Sequence, residues 1–150
     1  EVNKYVAYDF KENHWLLGEL DRTSGCDRGV FRTPIWADAN GDVYDHETGF
    51  NFGGAAVFAE SGPANLGDGE FTFNARKLIP DERTQGDVEL TFKTRLYPNG
   101  AETSHGPYTM TNPTSVRFSG RQARMRVTAT EVNNWRFGIP RIEVTQAGRR

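Results

Sequence analysis

The sequence predicts an all-β protein, and two observations carry that prediction. No window places apolar residues at i, i+3, i+4 and i+7 between helix caps. Short alternating runs recur instead, broken by Gly, Asn, Asp and Pro, which is the pattern of many short strands joined by tight turns. Within that class, residues 1–53 are expected to form partial β-propeller blades, as hairpins, and residues 54–150 an antiparallel β-sandwich-like unit.

The elements follow in chain order. Tyr5-Val6-Ala7-Tyr8 and Trp15-Leu16-Leu17 flank the polar stretch "DFKEN", which predicts a hairpin. "TSGCDRG", around Cys26, reads as a turn. Val30–Trp36 and Asp42–Tyr44 flank "ADANG". Asn40-Gly41 between apolar strands is the strongest short-range hairpin signal, and both residues tolerate the positive φ of a type I′ turn. Further strand-like runs are Ala55–Glu60, Glu70–Leu78, Val88–Leu96, Val116–Phe118, Gln122–Thr130 and Trp135–Thr145.

Period-two alternation assigns faces to three of these runs. Ala123, Met125, Val127 and Ala129 point to a core, and Gln122, Arg124, Arg126 and Thr128 away from it. Val88, Leu90 and Phe92 share a face with Thr94 and, less cleanly, Leu96. Ile142 and Val144 oppose Arg141 and Glu143. Three half-buried strands suggest two packed sheets. In the first half, Tyr8-Asp9 and Tyr44-Asp45 each precede a polar turn, 36 residues apart. That offset is near the ~40–45-residue period of propeller blades. The boundary between the two parts is expected in the Gly-rich "TGFNFGG".

Charge is spread unevenly. Residues 1–70 carry five Lys/Arg against thirteen Asp/Glu, a net −8, whereas residues 71–150 carry thirteen against seven, a net +6. The overall −2 argues against a dedicated nucleic-acid binder. The change of sign suggests two units with different surfaces. One cysteine excludes an intrachain disulfide. Asp27 beside Cys26 disfavours a thiolate there, so a nucleophilic role is not expected. No apolar run approaches the ~20 residues of a spanning helix, and no signal peptide is recognisable. The start at Glu1, in mid-pattern and without Met, suggests a piece of a longer polypeptide, whereas "QAGRR" resembles a natural end.

Several site chemistries compete for the polar residues. A helix-loop-helix calcium loop begun at Asp38 would have Asp38, Asn40 and Asp42 at positions 1, 3 and 5. Position 6 would be Val43 in place of Gly and position 12 would be Gly49 in place of Glu. A hairpin turn with water-facing carboxylates is therefore expected, and no metal site. His14, His46 and His105 lie in separate turns without zinc-ligand spacing. Asp45 and Glu47 could meet in space but read as exposed turn carboxylates, whereas a pair among Glu60, Asp68, Glu70 and Asp81 could supply two carboxylates about 5–9.5 Å apart for glycoside hydrolysis. Nothing in their spacing selects a pair, so no enzyme, catalytic residue or cofactor is expected.

Arg117, Arg121, Arg124, Arg126, Arg136 and Arg141 fall on strands or adjoining turns, with Trp135 and Phe137 expected to pack inward. Arg is favoured at protein interfaces because its planar fork pairs with carboxylates. A head-to-tail ring would let a basic sandwich meet an acidic neighbour. The residues expected at that interface are Arg117, Arg124, Arg126 and Arg141 on one side and Asp42, Asp45 and Glu47 on the other. DNA contact ranks behind it. Burial of Trp15, Trp36, Trp135 and the phenylalanines is expected to supply stability.

From Arg28 onward, a succession of stretches resembles the C-terminal portion of tail nozzle or hub proteins of short-tailed bacteriophages, the packaged-DNA stabilisation group. The stretches are "RGVFRTPIWADANGDVYDHETGFN", "ESGPANLGDGEFTFNARKLIPDE", "GDVELTFKTRLYPNG", "GPYTMTNPTSVRFSGRQARMRV" and "NWRFGIPRIEVTQAGRR". The resemblance implies a propeller whose last blade elements end near Gly49. It also implies a homo-oligomeric ring, usually six-fold, below the portal and adaptor. Its role would be structural, retaining packaged DNA and releasing it on infection. The implied neighbours are adaptor and fibre or spike proteins, with non-specific passage of DNA and no membrane. The implied location is the virion tail, after assembly in the host cytoplasm. The rival expectation is a carbohydrate-binding sandwich or host-receptor adhesin, with Tyr97, Tyr108 and Trp135 as a sugar-stacking platform.

Overall fold

The computed structural model describes residues 3–50, 52, 55–65, 69–81, 84–85 and 87–149. The fold is all-β. Thirteen antiparallel strands, and no helix, occur among the described residues. The chain divides into two compact units, Glu1–Asn51 and Phe52–Arg150. The expected boundary falls on residues 53 and 54, which lie outside those described.

The first unit holds two small sheets. β1 (Lys4–Asp9) and β2 (His14–Glu19) form a hairpin in register from Lys4↔Glu19 to Asp9↔His14. The polar turn between them closes because Asp9 Oδ1 accepts the Lys11 and Glu12 N–H groups at 2.9 and 3.1 Å. An Asp side chain thus substitutes for a backbone acceptor. β3 (Ser24–Cys26), β4 (Ile35–Ala37) and β5 (Val43–Asp45) form a three-stranded sheet in that order. Within the stretch around Cys26, Ser24–Cys26 is therefore strand, fixed by pairing with β4, and only the residues on either side bend. Its polar composition hides this.

A hairpin does join β4 and β5 at "ADANG", but its turn is not type I′. The Gly41 N–H bonds the Asp38 carbonyl at 3.3 Å and the Asp38 N–H bonds the Asp42 carbonyl at 3.0 Å. Gly41 has φ +91°, whereas Asn40 is not among the residues of positive φ. This is a tight turn followed by a left-handed glycine, the three-residue alternative to type I′. Asp38 decides between them, since its Oδ1 accepts the N–H groups of both Asn40 and Asp42.

The second unit contains the core. β6 (Phe58–Glu60), β7 (Ala64–Asn65), β9 (Val88–Arg95), β10 (Thr103–Thr109) and β12 (Gln122–Ala129) make a five-stranded sheet. Its order is β10-β9-β12-β6, with β7 also on β12. β8 (Phe71–Ile79), β11 (Thr114–Gly120) and β13 (Arg141–Arg149) make a three-stranded sheet of order β11-β8-β13. The inner faces meet in a sandwich-like arrangement. The Phe92 ring of β9 stacks on the Phe118 ring of β11 at 4.9 Å, and Phe118 meets Phe73 of β8 edge-on at 6.2 Å. Among the described residues, the ten that form the buried hydrophobic core, from Phe73 to Val127, all belong to this unit. Trp135 and Phe137 pack against that core, as alternation predicts.

The alternation in β9 and β12 is realised. Val88, Leu90, Phe92 and Thr94 are buried, and Val127 is buried with Ala123 and Met125 packed beside it. In β13, Ile142 and Val144 pair with the inward Leu78 and Ala75. Only Ile142 reaches the core, because β13 is an edge strand and Val144 stays partly exposed. The chain passes from β11 to β12 through Arg121 alone, and a Cβ on Gly120 would lie 2.8 Å from Thr94 Cβ. Glycine lets the two sheets meet at that corner.

β10 is a strand that hydrophobic patterning misses. "TSHGPYT" is polar and holds Gly106-Pro107, where its register on β9 shifts. An edge strand tolerates a proline that cannot donate. His105 therefore lies in a strand, not a turn. Its Nε2 sits 2.9 Å from Thr94 Oγ1 and its ring lies 5.0 Å from that of Phe118.

Because Phe92 touches both sheets, Phe92→Ala is expected to destabilise the second unit by about 3–5 kcal/mol. The exposed Tyr97→Ala should cost far less. Urea denaturation followed by circular dichroism measures both.

Candidate functional site

The acidic side of the expected interface lies on the β4–β5 hairpin and the turn after it. Asp38 is the organiser. Besides its two backbone donors, its Oδ2 accepts the Tyr44 hydroxyl at 3.2 Å. Desolvation disfavours its charge, but the N–H groups of Asp42 and Asn40 and the Tyr44 hydroxyl outweigh it and hold its carboxyl below the ordinary range. The bond to Asp38 raises the Tyr44 phenol in turn, and the adjacent negative charge adds to it. The Arg22 guanidinium lies 3.8 Å over the Tyr44 ring. Glu47, with φ +57°, pairs with Arg28 at 3.0 Å, and Asp45 Oδ1 accepts the Thr33 hydroxyl at 3.3 Å. Asp42 has no cationic partner among the described residues and faces water. With both Asp38 oxygens committed to the turn, millimolar calcium is expected to leave the melting temperature unchanged; a rise of several degrees would overturn this reading.

The arginines do not form one face. Arg124 and Arg126 lie on the outer side of the five-stranded sheet, where Glu60 of β6 gathers them. Glu60 Oε1 meets Lys93 Nζ at 3.1 Å and Arg124 Nε at 2.8 Å, and Oε2 meets Arg126 Nη1 at 3.4 Å. The Arg124 Nε contact has the distance of an ion pair without hydrogen-bond alignment. Glu102 adds a pair to Arg124 at 3.3 Å, and Phe58 lies 3.8 Å below the Arg126 guanidinium. Register forces this meeting, since Arg126 stands opposite Glu60 and Arg124 opposite Lys93. Without Glu60, two cations would face each other directly. The Glu60 side chain is 18% exposed. Its desolvation favours the neutral form, but Lys93, Arg124 and Arg126 together keep the carboxyl below its usual range.

Arg117 and Arg141 lie on the outer side of the other sheet, on β11 and β13, and are exposed. Between them β8 carries Arg76 and Lys77, both exposed, where the register of β8 shifts against each neighbour. None of these four has a carboxylate within ion-pair distance among the described residues. Strict alternation would turn one of Arg76 and Lys77 inward, so sequence reasoning did not single them out. The adjacent pair "RK" within an alternating strand is the signal that could have done so.

A second surface is apolar. Cross-strand pairs Tyr8↔Trp15 and Val6↔Leu17 share one face of the β1–β2 hairpin, with Trp15 70% and Leu17 82% exposed. The Tyr8 and Trp15 rings lie 4.7 Å apart. Tyr5 and Leu16 occupy the other face and are also exposed. Trp36 is exposed as well, so Trp15 and Trp36 do not supply the burial expected of them.

The remaining candidates are dispersed. Tyr108 and Trp135 pack against the core, which leaves Tyr97 the one exposed ring of the expected sugar platform. Glu70 pairs with Arg149, and Asp81 Oδ2 accepts the Ile139 N–H. Asp68 lies outside the described residues. Cys26 is exposed, and no group of three or more His, Cys, Asp or Glu capable of holding a metal occurs among the described residues. A scan against protein-family models finds no match, and a search of curated proteins finds none.

Glu60 has a folded pKa below its unfolded value. Its stabilising effect is therefore complete above about pH 4.5 and is lost as pH falls through the folded value. Glu60→Gln should cost roughly 1–3 kcal/mol at pH 7. The difference from wild type should shrink below about pH 4.5, as urea midpoints at pH 7 and pH 3 would show.

Proposed function

We propose that the chain is a structural component of the tail of a short-tailed bacteriophage, part of a nozzle or hub ring that closes the tail tube and helps to retain and release packaged DNA. The succession of stretches from Arg28 onward supports the family reading. The observation that carries an assembly role is the β1–β2 hairpin, apolar on both faces and uncovered. A two-stranded hairpin is marginally stable alone, and each large apolar side chain it exposes forgoes about 1.5–3 kcal/mol of burial. Such a hairpin suits a place inside a larger assembly. In this reading it and the β3-β4-β5 sheet are blade elements completed by further strands, and the second unit is the sandwich that follows them in the chain. The chain then works by pairing strands and filling interfaces, without catalysis or cofactor. Its neighbours are copies of itself in a ring, six-fold by the resemblance, together with adaptor and fibre or spike proteins.

Electron micrographs of native particles should place the chain in a ring on the tail axis. Trp15→Ser/Leu17→Ser should remove the chain from that ring while leaving the urea midpoint of the second unit unchanged. Incorporation of the double variant at wild-type level would count against the hairpin as an assembly element. Purified chain that stays monomeric at every concentration, with no ring in particles, would overturn the reading itself.

A further inference from the structure

The two arginine-bearing faces differ in one respect that sequence does not disclose. On the five-stranded sheet, Lys93, Arg124 and Arg126 are matched by Glu60 and Glu102. On the outer side of β11-β8-β13, Arg76, Lys77, Arg117 and Arg141 are exposed, and among the described residues of these three strands the one carboxylate on that side is Glu143, opposite Lys77 in the register. No ion pair among the described residues joins Glu143 to any of them. The crowding is built into the backbone, because register shifts on both sides of β8 turn Arg76 and Lys77 out together. Irregularities of this kind re-aim side chains. A cluster of like charges without counter-charge raises the local potential and attracts an opposite surface.

The first unit has the opposite surplus. Residues 1–51 hold ten Asp/Glu and five Lys/Arg. Among its described residues, only Glu19 and Glu47 have cationic partners, Lys4 and Arg28. Asp42 and Asp45 are exposed on the hairpin of β4 and β5, whose turn Asp38 ties through two backbone N–H groups.

We propose that the outer face of β11-β8-β13, through Arg76, Lys77, Arg117 and Arg141, docks the Asp42/Asp45 hairpin of a second copy of this chain. The proposal rests on the assembly reading above and names the contact within it. Charge complementarity selects the occupant. A groove for single-stranded nucleic acid would interleave aromatics with its cations, whereas the other outward positions on this face include Asn74, Ser115 and Ser119, and the net charge of −2 weighs against duplex DNA. Arginine and lysine facing carboxylates at an exposed rim govern the rate and salt dependence of association.

The test uses the full chain in light scattering over a concentration series. Association should be present at about 50 mM salt and weaken at about 500 mM, where the screening length shortens. Lys77→Glu/Arg117→Glu and Asp42→Lys/Asp45→Lys should each weaken association about tenfold or more, and mixing the two variants should restore it. Lys77→Gln/Arg117→Gln, checked for fold by circular dichroism, provides a milder version if the reversal perturbs the sheet. Association unchanged in the variants would overturn this contact and leave the assembly reading standing. Failure of the mixture to recover would overturn the pairing of these two surfaces. A wild-type chain that stays monomeric, yet retains short duplex DNA that the Lys77/Arg117 variants release, would assign the face to nucleic acid instead.

Discussion

The contact between Phe92 and Phe118 is the constraint from which the second unit follows. It joins one sheet to the other through a ring stack, and Phe73 closes the cluster edge-on. Once Phe92 points inward, the period of two sends Lys93 outward. Once Met125 and Val127 turn inward, Arg124 and Arg126 must lie outside. Phe118 does the same for Arg117. The positions of the charges are consequences of where the aromatic rings pack.

What becomes of those charges depends on neighbouring strands. β6 contributes only a short pairing to β12, yet it delivers Glu60 into the middle of three cations. That carboxylate converts a repulsive row into an ion network shielded partly from water, where pairing counts for more than on an open surface. Among the described residues, no strand of the opposite sheet brings a carboxylate within ion-pair distance of Arg76, Lys77, Arg117 or Arg141. Its cations stay unmatched within the described chain, and the register shifts of β8 add to their density.

The first unit obeys different physics. Its turns are set locally by Asp9 and Asp38, each accepting two backbone N–H groups. Tyr8 and Trp15 pack ring against ring across the first hairpin, and Trp36 stands opposite Tyr44 across the second. These devices shape strands without enclosing a core. The apolar surface they leave in water is the physical motive for the assembly role proposed for the chain.

The all-β class, the hairpins at "DFKEN" and "ADANG" and the inward faces of β9 and β12 were legible in the sequence. Each depends on turn chemistry or on a period of two, which neighbouring residues set by themselves. β3 and β10 were not legible, because pairing with β4 and β9 outweighs their polar composition. The candidate site was legible only as a list of charges. Sequence determined which strands carry arginine and which turn carries carboxylates. Tertiary structure alone decided that Arg124 and Arg126 meet Glu60 while Arg117 and Arg141 join Arg76 and Lys77, since strand order and register bring together residues that lie far apart along the chain.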